Sequence, residues 1–193
     1  MEKIIIGLTG PTGAGKSSLK NIAENMGFCV IDCDKFARIA VEKGTKGLEA
    51  LIKVFGEDIL FDDGDLNRKA LAKKAFSTPQ STELLNKTIL PFIKELIFEK
   101  IENETKVLLD APTLFESGIN SVCKKTVAVL ADRDIRFKRI IERDGITEQD
   151  ALLRINAGKT DDYYKKNADF IIHNNGNSRD FINEFEKILT NIL

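Results

Sequence analysis

Short apolar runs alternate with longer helical patterns along most of the chain, which is typical of a parallel α/β sheet. The runs are rich in Ile, Val, Leu or Phe without strict alternation, as expected for strands covered on both faces. We predict five strands: Lys3–Thr9, Phe28–Asp32, Lys106–Asp110, Thr126–Ala131 and Asp169–His173. Helices are predicted at Lys16–Met26, at Asp134–Arg143 and from Ser178 onward. The fold class is therefore α/β, a parallel five-stranded sheet with helices on both faces.

One long stretch departs from this alternation. Residues from about 35 to 103 show helical patterns and no convincing strand, which is more chain than a plain crossover between strands needs. Within it, Asn67–Phe76 is amphipathic, and Leu90-Pro91 is expected to interrupt a second helix. We predict a helical substrate-binding insert here, and a mobile lid at 147–166, where a polar helical segment precedes the last strand. The chain is then one domain, 1–193, whose core comprises 1–34, 104–146 and 167–193.

Composition narrows the possible partners. The 193 residues include 29 basic and 30 acidic side chains, so a nucleic-acid-coating surface is not expected. No apolar run approaches the roughly 18 residues that span a bilayer, and the opening apolar run is too short for a signal peptide. The three cysteines, Cys29, Cys33 and Cys123, form no CxxC pair and are expected to be small core-filling thiols. We expect a cytoplasmic protein with no membrane or nucleic-acid partner.

The segment Gly10–Ser17 matches the phosphate-loop pattern G-x4-G-K-[ST], with an apolar strand before it and a helical pattern after it. Glycines allow the backbone N–H groups to converge on a polyphosphate, and the helix N-terminus favours the same anion. Lys16 would reach the β- and γ-phosphates, and Ser17 would supply an oxygen to Mg²⁺. We predict that ATP and Mg²⁺ bind here. The nucleotide-binding candidates are Gly10, Pro11, Thr12, Gly13, Ala14, Gly15, Lys16, Ser17 and Ser18.

Two classes of phosphate-loop protein are the main candidates. A GTPase switch needs Asp-x-x-Gly and Asn-Lys-x-Asp, but no glycine here has Asp three positions before it, and Asn86-Lys87 lacks the final Asp. A small-molecule kinase needs a carboxylate beside the γ-phosphate. Asp32 and Asp34 end the second predicted strand; we expect one to cap the next helix and Asp34 to be the working acid. An ATP-binding protein without transferase activity remains an alternative.

Other polar residues have two interpretations each. Asp110 ends a predicted strand, so it could hold Mg²⁺ or cap the turn at Ala111-Pro112. Tyr163-Tyr164 could stack on adenine or pack in the predicted lid. The lone histidine, His173, is expected to have a surface or structural role.

Several segments together resemble the dephospho-coenzyme A kinase family over essentially the whole chain. Besides the phosphate loop, the matching parts are Val30–Arg38, Phe55-Gly56, Asp63–Arg68, Pro112–Glu116, Arg139, Arg143, Ala168-Asp169 and Asn174–Gly176. The resemblance implies a P-loop nucleoside-triphosphate hydrolase fold and transfer of the ATP γ-phosphate to the ribose 3′-hydroxyl of dephospho-coenzyme A, the last step of coenzyme A biosynthesis.

The resemblance also implies roles for individual residues. Asp34 would be the general base, Lys16 and Ser17 would hold phosphates and Mg²⁺, and Arg139 and Arg143 would stabilise the transferred charge. The implied substrate-binding residues are Asp34, Arg38, Arg68, Leu114 and Glu116. The alternative is another P-loop nucleoside or nucleotide kinase.

Two positions depart from the family pattern. Leu90 stands where the family usually has His, and Gly158 stands where its lid usually has Gln. We expect these changes to affect acceptor affinity and lid closure and to leave the γ-phosphate site intact.

Overall fold

The computed structural model describes residues 3–193, which divide into two compact units. The first contains the described part of Met1–Ile31 together with Glu104–Leu193, and the second is Asp32–Asn103. Met1 and Glu2, the first two residues of the predicted core 1–34, lie outside the described residues.

The first unit is built on a five-stranded sheet. Its strands are β1 (Ile4–Thr9), β2 (Cys29–Asp32, of which Asp32 begins the second unit), β3 (Lys106–Asp110), β4 (Lys125–Leu130) and β5 (Phe170–His173). The spatial order is β2-β3-β1-β4-β5. Parallel pairing places Leu8 beside Asp110 and Thr9 beside Ala128. All five predicted strands are confirmed, with their ends shifted by one residue at most.

The helices of the described chain follow in order. They are α1 (Ser17–Asn25), α2 (Cys33–Ile39), α3 (Lys46–Phe55), α4 (Arg68–Ala75), α5 (Pro79–Ile101), α6 (Arg133–Asp144), α7 (Glu148–Ala157), α8 (Asp161–Asn167) and α9 (Ser178–Ile192). Short 3₁₀ turns occur at Glu57–Ile59 and Ile119–Val122. The segment predicted as a lid, 147–166, comprises α7, the break at 158–160 and nearly all of α8.

Helices cover both faces of the sheet, as predicted. Successive side chains of a strand point to opposite faces, and in β4 Val127 and Val129 join the core formed with α1 and α9. Ala128 and Leu130 pack instead with Tyr164 of α8. Both sets are fully buried, which is why the strands read as continuous apolar runs.

The second unit consists of α2 to α5 around its own apolar core. Leu51, Ala75 and Ile89 come together from α3, α4 and α5, and all three are buried. Thr45, Asn67 and Thr78 cap three of these helices by accepting backbone N–H groups. The predicted helical character of this stretch is confirmed.

The predicted interruption at Leu90-Pro91 is wrong, because α5 continues through Pro91 from Pro79 to Ile101. Proline removes one helical hydrogen bond and crowds the preceding turn. Ile89, Phe92 and Ile93 on either side of it pack into the core of the second unit. The helix is held by this tertiary packing, which local sequence rules do not include.

Cysteines and helix length agree with the expectations from composition. Cys33 is buried and the other two cysteines are half-buried, and all three are free thiols. Burial, followed by the nearby charge of Asp169, raises the pKa of Cys123 to about 12, so this thiol stays protonated. Within residues 3–193, every helix is too short or too polar to cross a membrane.

The packing of α9 on the sheet predicts a large effect of removing a core leucine. Leu189 is fully buried against the sheet, whereas Leu153 on α7 is 63% exposed. Leu189→Ala should lower the free energy of unfolding by about 2–5 kcal/mol, because it removes buried methyl groups and leaves a cavity. Leu153→Ala, the control in the same unit, should change it by less than about 0.5 kcal/mol. Urea denaturation followed by circular dichroism measures both; equal effects would contradict the described packing.

Candidate functional site

The loop between β1 and α1 has the backbone conformation of an anion-binding loop. Gly10, Gly13 and Gly15 have φ angles of 137°, 79° and 96°, values that side-chain-bearing residues rarely adopt. Successive changes of backbone hand of this kind let N–H groups turn toward one point. The predicted phosphate loop therefore has the local geometry that its function requires.

Close neighbours also require glycine at these positions. A Cβ at Gly10 would overlap the carbonyl oxygen of Val129 in β4, and one at Gly15 would overlap the side-chain amide of Asn174. A Cβ at Gly13 would lie 2.8 Å from the carbonyl oxygen of Arg136 in α6. The loop is thus held against β4, α6 and the residue that follows β5.

Lys16 and the start of α1 complete the loop. The ammonium group of Lys16 donates a hydrogen bond to the carbonyl oxygen of Gly10 at 2.7 Å, so its side chain lies back across the loop. Ser17 and Ser18 are the first residues of α1 and are exposed. No side chain among residues 3–193 caps α1, which keeps this helix end suited to an anionic ligand.

Asn174, directly after β5, connects Arg139 to the loop. Its Nδ2 donates to the carbonyl oxygen of Ala14 at 2.8 Å, and its Oδ1 accepts a hydrogen bond from Nη2 of Arg139 at 3.3 Å. Nη1 of Arg139 is buried and has no hydrogen-bond partner within residues 3–193. Sequence reasoning placed Arg139 at the site but used Asn174 only as part of a family match. Its signal is a polar side chain immediately beyond the end of a strand.

Arg136 was also missed. It lies one turn before Arg139, which places the two side chains on one side of α6, and it is only 8% exposed. Its guanidinium lies 3.9 Å from the carboxylate of Asp161 in α8, and its Nε lacks a partner in the described chain. Arg136 therefore places a buried positive charge between α6 and α8.

Arg143 has different surroundings from Arg139, although both are on α6. It is exposed, and its guanidinium makes two hydrogen bonds to Asp144, at 2.7 and 2.9 Å. Asp144 also pairs with Arg154 of α7, and the arginines lower its pKa. In this structure Arg143 belongs to a network at the end of α6, while Arg139 contacts the residue that supports the phosphate loop.

Asp110 is ion-paired rather than acting as the alternative turn cap. Its Oδ2 lies 2.5 Å from Nζ of Lys20 on α1, and the residue is 7% exposed. Its other oxygen, Oδ1, is buried without a partner in the described residues. An unsatisfied carboxylate oxygen is a ligand that Mg²⁺ accepts, so Asp110 suits the metal role that the sequence left open.

The segment after β3 combines a core residue with surface residues. Leu114 is fully buried and would touch any Cβ at Gly7, so the structure makes it a core side chain instead of one exposed to a substrate. Glu116 is exposed and lies near Tyr163, whose pKa is raised by burial and then by the charge of Glu116. Tyr164 is buried against β4, which gives it a packing role.

Within the second unit, Asp32 and Asp34 have distinct roles. Oδ1 of Asp32 accepts hydrogen bonds from the backbone N–H groups of Asp34 and Lys35, at 3.1 and 3.2 Å, so Asp32 caps α2. This confirms the expectation that one of the two acids is a cap. Asp34 and Arg38 are exposed on α2, and Arg68 is exposed at the start of α4.

The two departures from the family pattern lie on ordinary helical structure. Leu90 is half-buried within α5. Gly158 ends α7 with φ −79° and ψ 169°, and a Cβ added there would lie 3.4 Å from its nearest neighbour, the carbonyl oxygen of Ile155. Since any residue adopts this backbone, the structure does not require glycine at 158. His173 is exposed, in agreement with the surface role expected for it.

The close contact at Gly15 predicts a selective loss of nucleotide binding. Gly15→Ala should weaken ATP binding at least about tenfold, because the new Cβ would displace Asn174 and distort the loop. Gly27→Ala is the matched control: Gly27 also has positive φ, 81°, but nothing lies within 4 Å of the added carbon. Isothermal titration with Mg²⁺-ATP measures both variants. Equal weakening in the two would mean that backbone strain alone is responsible.

Known proteins with the same features support this interpretation of the site. A family model described as dephospho-CoA kinase matches residues 4–180. A dephospho-CoA kinase of Arabidopsis thaliana is 36% identical over 193 residues, covering 97% of this chain and 83% of its own.

Solved structures share the fold over nearly their whole length. A Thermus thermophilus protein superposes with a TM-score of 0.84 at 27% identity, covering 100% of both chains. A dephospho-CoA kinase from Campylobacter jejuni gives a TM-score of 0.68 at 27% identity, covering 97% of this chain and 96% of its own. With its phosphate loop and its β2-β3-β1-β4-β5 sheet, the chain has a P-loop nucleoside-triphosphate hydrolase fold and belongs to the dephospho-CoA kinase family.

Proposed function

We propose that the protein transfers the γ-phosphate of ATP to the ribose 3′-hydroxyl of dephospho-coenzyme A, the last step of coenzyme A biosynthesis. The observation that carries this proposal is the family match over residues 4–180, which includes the whole phosphate loop. The loop geometry supports the nucleotide half of the reaction, and the family supports the acceptor. Location in the cytoplasm stays a prediction from the sequence.

The ATP phosphates would bind to the backbone N–H groups of the loop Gly10–Ser18. The charge of Lys16 would lie beside the β- and γ-phosphates, where it balances charge throughout the reaction. Ser17 and Asp110 are the residues that would hold Mg²⁺, one through its hydroxyl and the other through its unsatisfied Oδ1. Mg²⁺ usually takes few protein ligands and completes its shell with phosphates and water. When bound, it would neutralise charge on the transferred group.

Asp34 is proposed as the general base. Its carboxylate would accept the proton of the 3′-hydroxyl as that oxygen bonds to the γ-phosphorus and the bond from phosphorus to the ADP oxygen breaks. Two facts support Asp34 over Asp32. Asp32 is engaged in capping α2, and Asp34 is exposed two residues beyond β2. Ligands of open α/β sheets gather beyond the carboxyl ends of strands.

Arg139 and Arg143 are proposed to stabilise charge on the transferred phosphoryl group. The link from Arg139 through Asn174 to Ala14 supports this role, since it relates the guanidinium to the loop. Arg143 would have to leave its two hydrogen bonds to Asp144, so we assign it a role only after rearrangement of α7. The segment 147–166 is the proposed lid, and Tyr164 anchors its α8 end to β4.

The helical unit Asp32–Asn103 is the proposed acceptor-binding part. Arg38 and Arg68 are exposed cations suited to the phosphates of dephospho-coenzyme A. Glu116 is retained as an acceptor contact, whereas the burial of Leu114 limits it to supporting its neighbours. Leu90 supplies no imidazole to the acceptor, so we expect binding there to depend more on the arginines.

The acceptor is tested by measuring ADP release with dephospho-coenzyme A and, in parallel, with a panel of nucleosides and nucleotides. Turnover of roughly 1–100 s⁻¹ is expected with dephospho-coenzyme A, as is usual for kinases. Preference for a nucleoside or nucleotide would establish the alternative kinase instead. ATP binding without transfer to any acceptor would show a protein that has lost its catalytic function.

Asp34→Asn should lower kcat by about 10²–10⁴-fold, because an amide cannot accept the hydroxyl proton. ATP affinity, measured by titration calorimetry, should change little. Asp32→Asn is the control, since asparagine caps a helix about as well as aspartate, and it should keep most of the activity. Full turnover by Asp34→Asn would remove the base assignment.

A further inference from the structure

Asn174 is a buried side chain that uses both ends of its amide. It is 7% exposed, its Nδ2 donates to the carbonyl oxygen of Ala14, and its Oδ1 accepts from Arg139. These partners are 160 and 35 positions away in sequence. A single amide therefore joins the exit of β5, the phosphate loop and α6.

Space around this amide is as restricted as its hydrogen bonds. A Cβ at Gly15 would overlap Nδ2 of Asn174 and would lie 3.8 Å from Nη1 of Arg139. Nη1 itself is buried without a hydrogen-bond partner in the described chain. A buried, unsatisfied guanidinium N–H is costly, so its presence beside an anion-binding loop is consistent with a donor that a phosphate oxygen completes.

We propose that Asn174 is a positioning residue for phosphotransfer. Its amide holds the Ala14 carbonyl in the loop and at the same time orients the guanidinium of Arg139 toward that loop. Asn174 acts through these two groups and does not itself touch the substrate. The inference rests on the proposed function, in which Arg139 stabilises charge on the transferred group.

Asn175 provides a matched control at the adjacent position. Its amide also makes two hydrogen bonds, to the backbone N–H and the carboxylate of Asp132, each 2.8 Å long. They join the exit of β5 to the exit of β4 and involve neither Arg139 nor the loop. Replacing Asn175 by alanine removes the same number of bonds without the proposed positioning effect.

The experiment is a double-mutant cycle with Asn174→Ala, Arg139→Ala and both together, using dephospho-coenzyme A as acceptor. Asn174→Ala should lower kcat about 10–100-fold, the range expected for losing a hydrogen bond to a charged group. In the Arg139→Ala background the same change should lower kcat by less than about threefold, because its partner is already missing. Without acceptor, Asn174→Ala should raise the Kd for Mg²⁺-ATP about tenfold. Asn175→Ala should alter each quantity by less than about twofold.

Three results would overturn the inference. In the first, the effects of Asn174→Ala and Arg139→Ala multiply; in the second, Asn174→Ala leaves kcat within about twofold; in the third, Asn175→Ala causes the same losses. Circular dichroism checks folding, and if Asn174→Ala is unfolded the cycle is run with Asn174→Asp, which keeps an oxygen facing Arg139.

The result that defeats the proposed function is a different one. If the wild-type protein turns over no dephospho-coenzyme A, the acceptor assignment fails. The cycle is then read from the Kd for Mg²⁺-ATP, where coupling between positions 174 and 139 supports the positioning role and additivity contradicts it.

Discussion

Backbone must lie very close to backbone and side chain at the phosphate loop, and the rest of the first unit is arranged around this requirement. Gly10 lies against β4, Gly13 against α6 and Gly15 against Asn174. These contacts leave no room for a Cβ, and they hold the loop in a shape that an isolated peptide would not keep, because fixing each residue costs conformational entropy. Binding energy from ATP is then not used to order the loop.

The sheet order explains how these neighbours come together. β4 lies beside β1, and β5 lies beside β4, so the ends of all three strands are adjacent. The exit of β4 leads into α6, which carries Arg136 and Arg139, and the exit of β5 carries Asn174. Side chains that are far apart in sequence thereby surround one loop, as is usual for ligand sites in open α/β sheets.

Neighbouring residues of the same type have separate tasks in this protein. Asp32 caps α2 while Asp34 is exposed, and Asn175 pairs with Asp132 while Asn174 supports the phosphate loop. Arg139 and Arg143 share α6 but have different partners. Residue type alone could not distinguish the members of these pairs, because their hydrogen-bond partners come from other parts of the chain or depend on side-chain direction.

The sequence by itself determined the five strands, the helical stretch after β2 and the phosphate loop, because apolar periodicity and glycine requirements are local properties. The continuity of α5 through Pro91, the burial of Leu114, the ion pair of Asp110 with Lys20 and the roles of Asn174 and Arg136 were decided only by tertiary structure. Each depends on packing or on a partner distant in sequence, and local pattern contains no information about which distant atoms become neighbours.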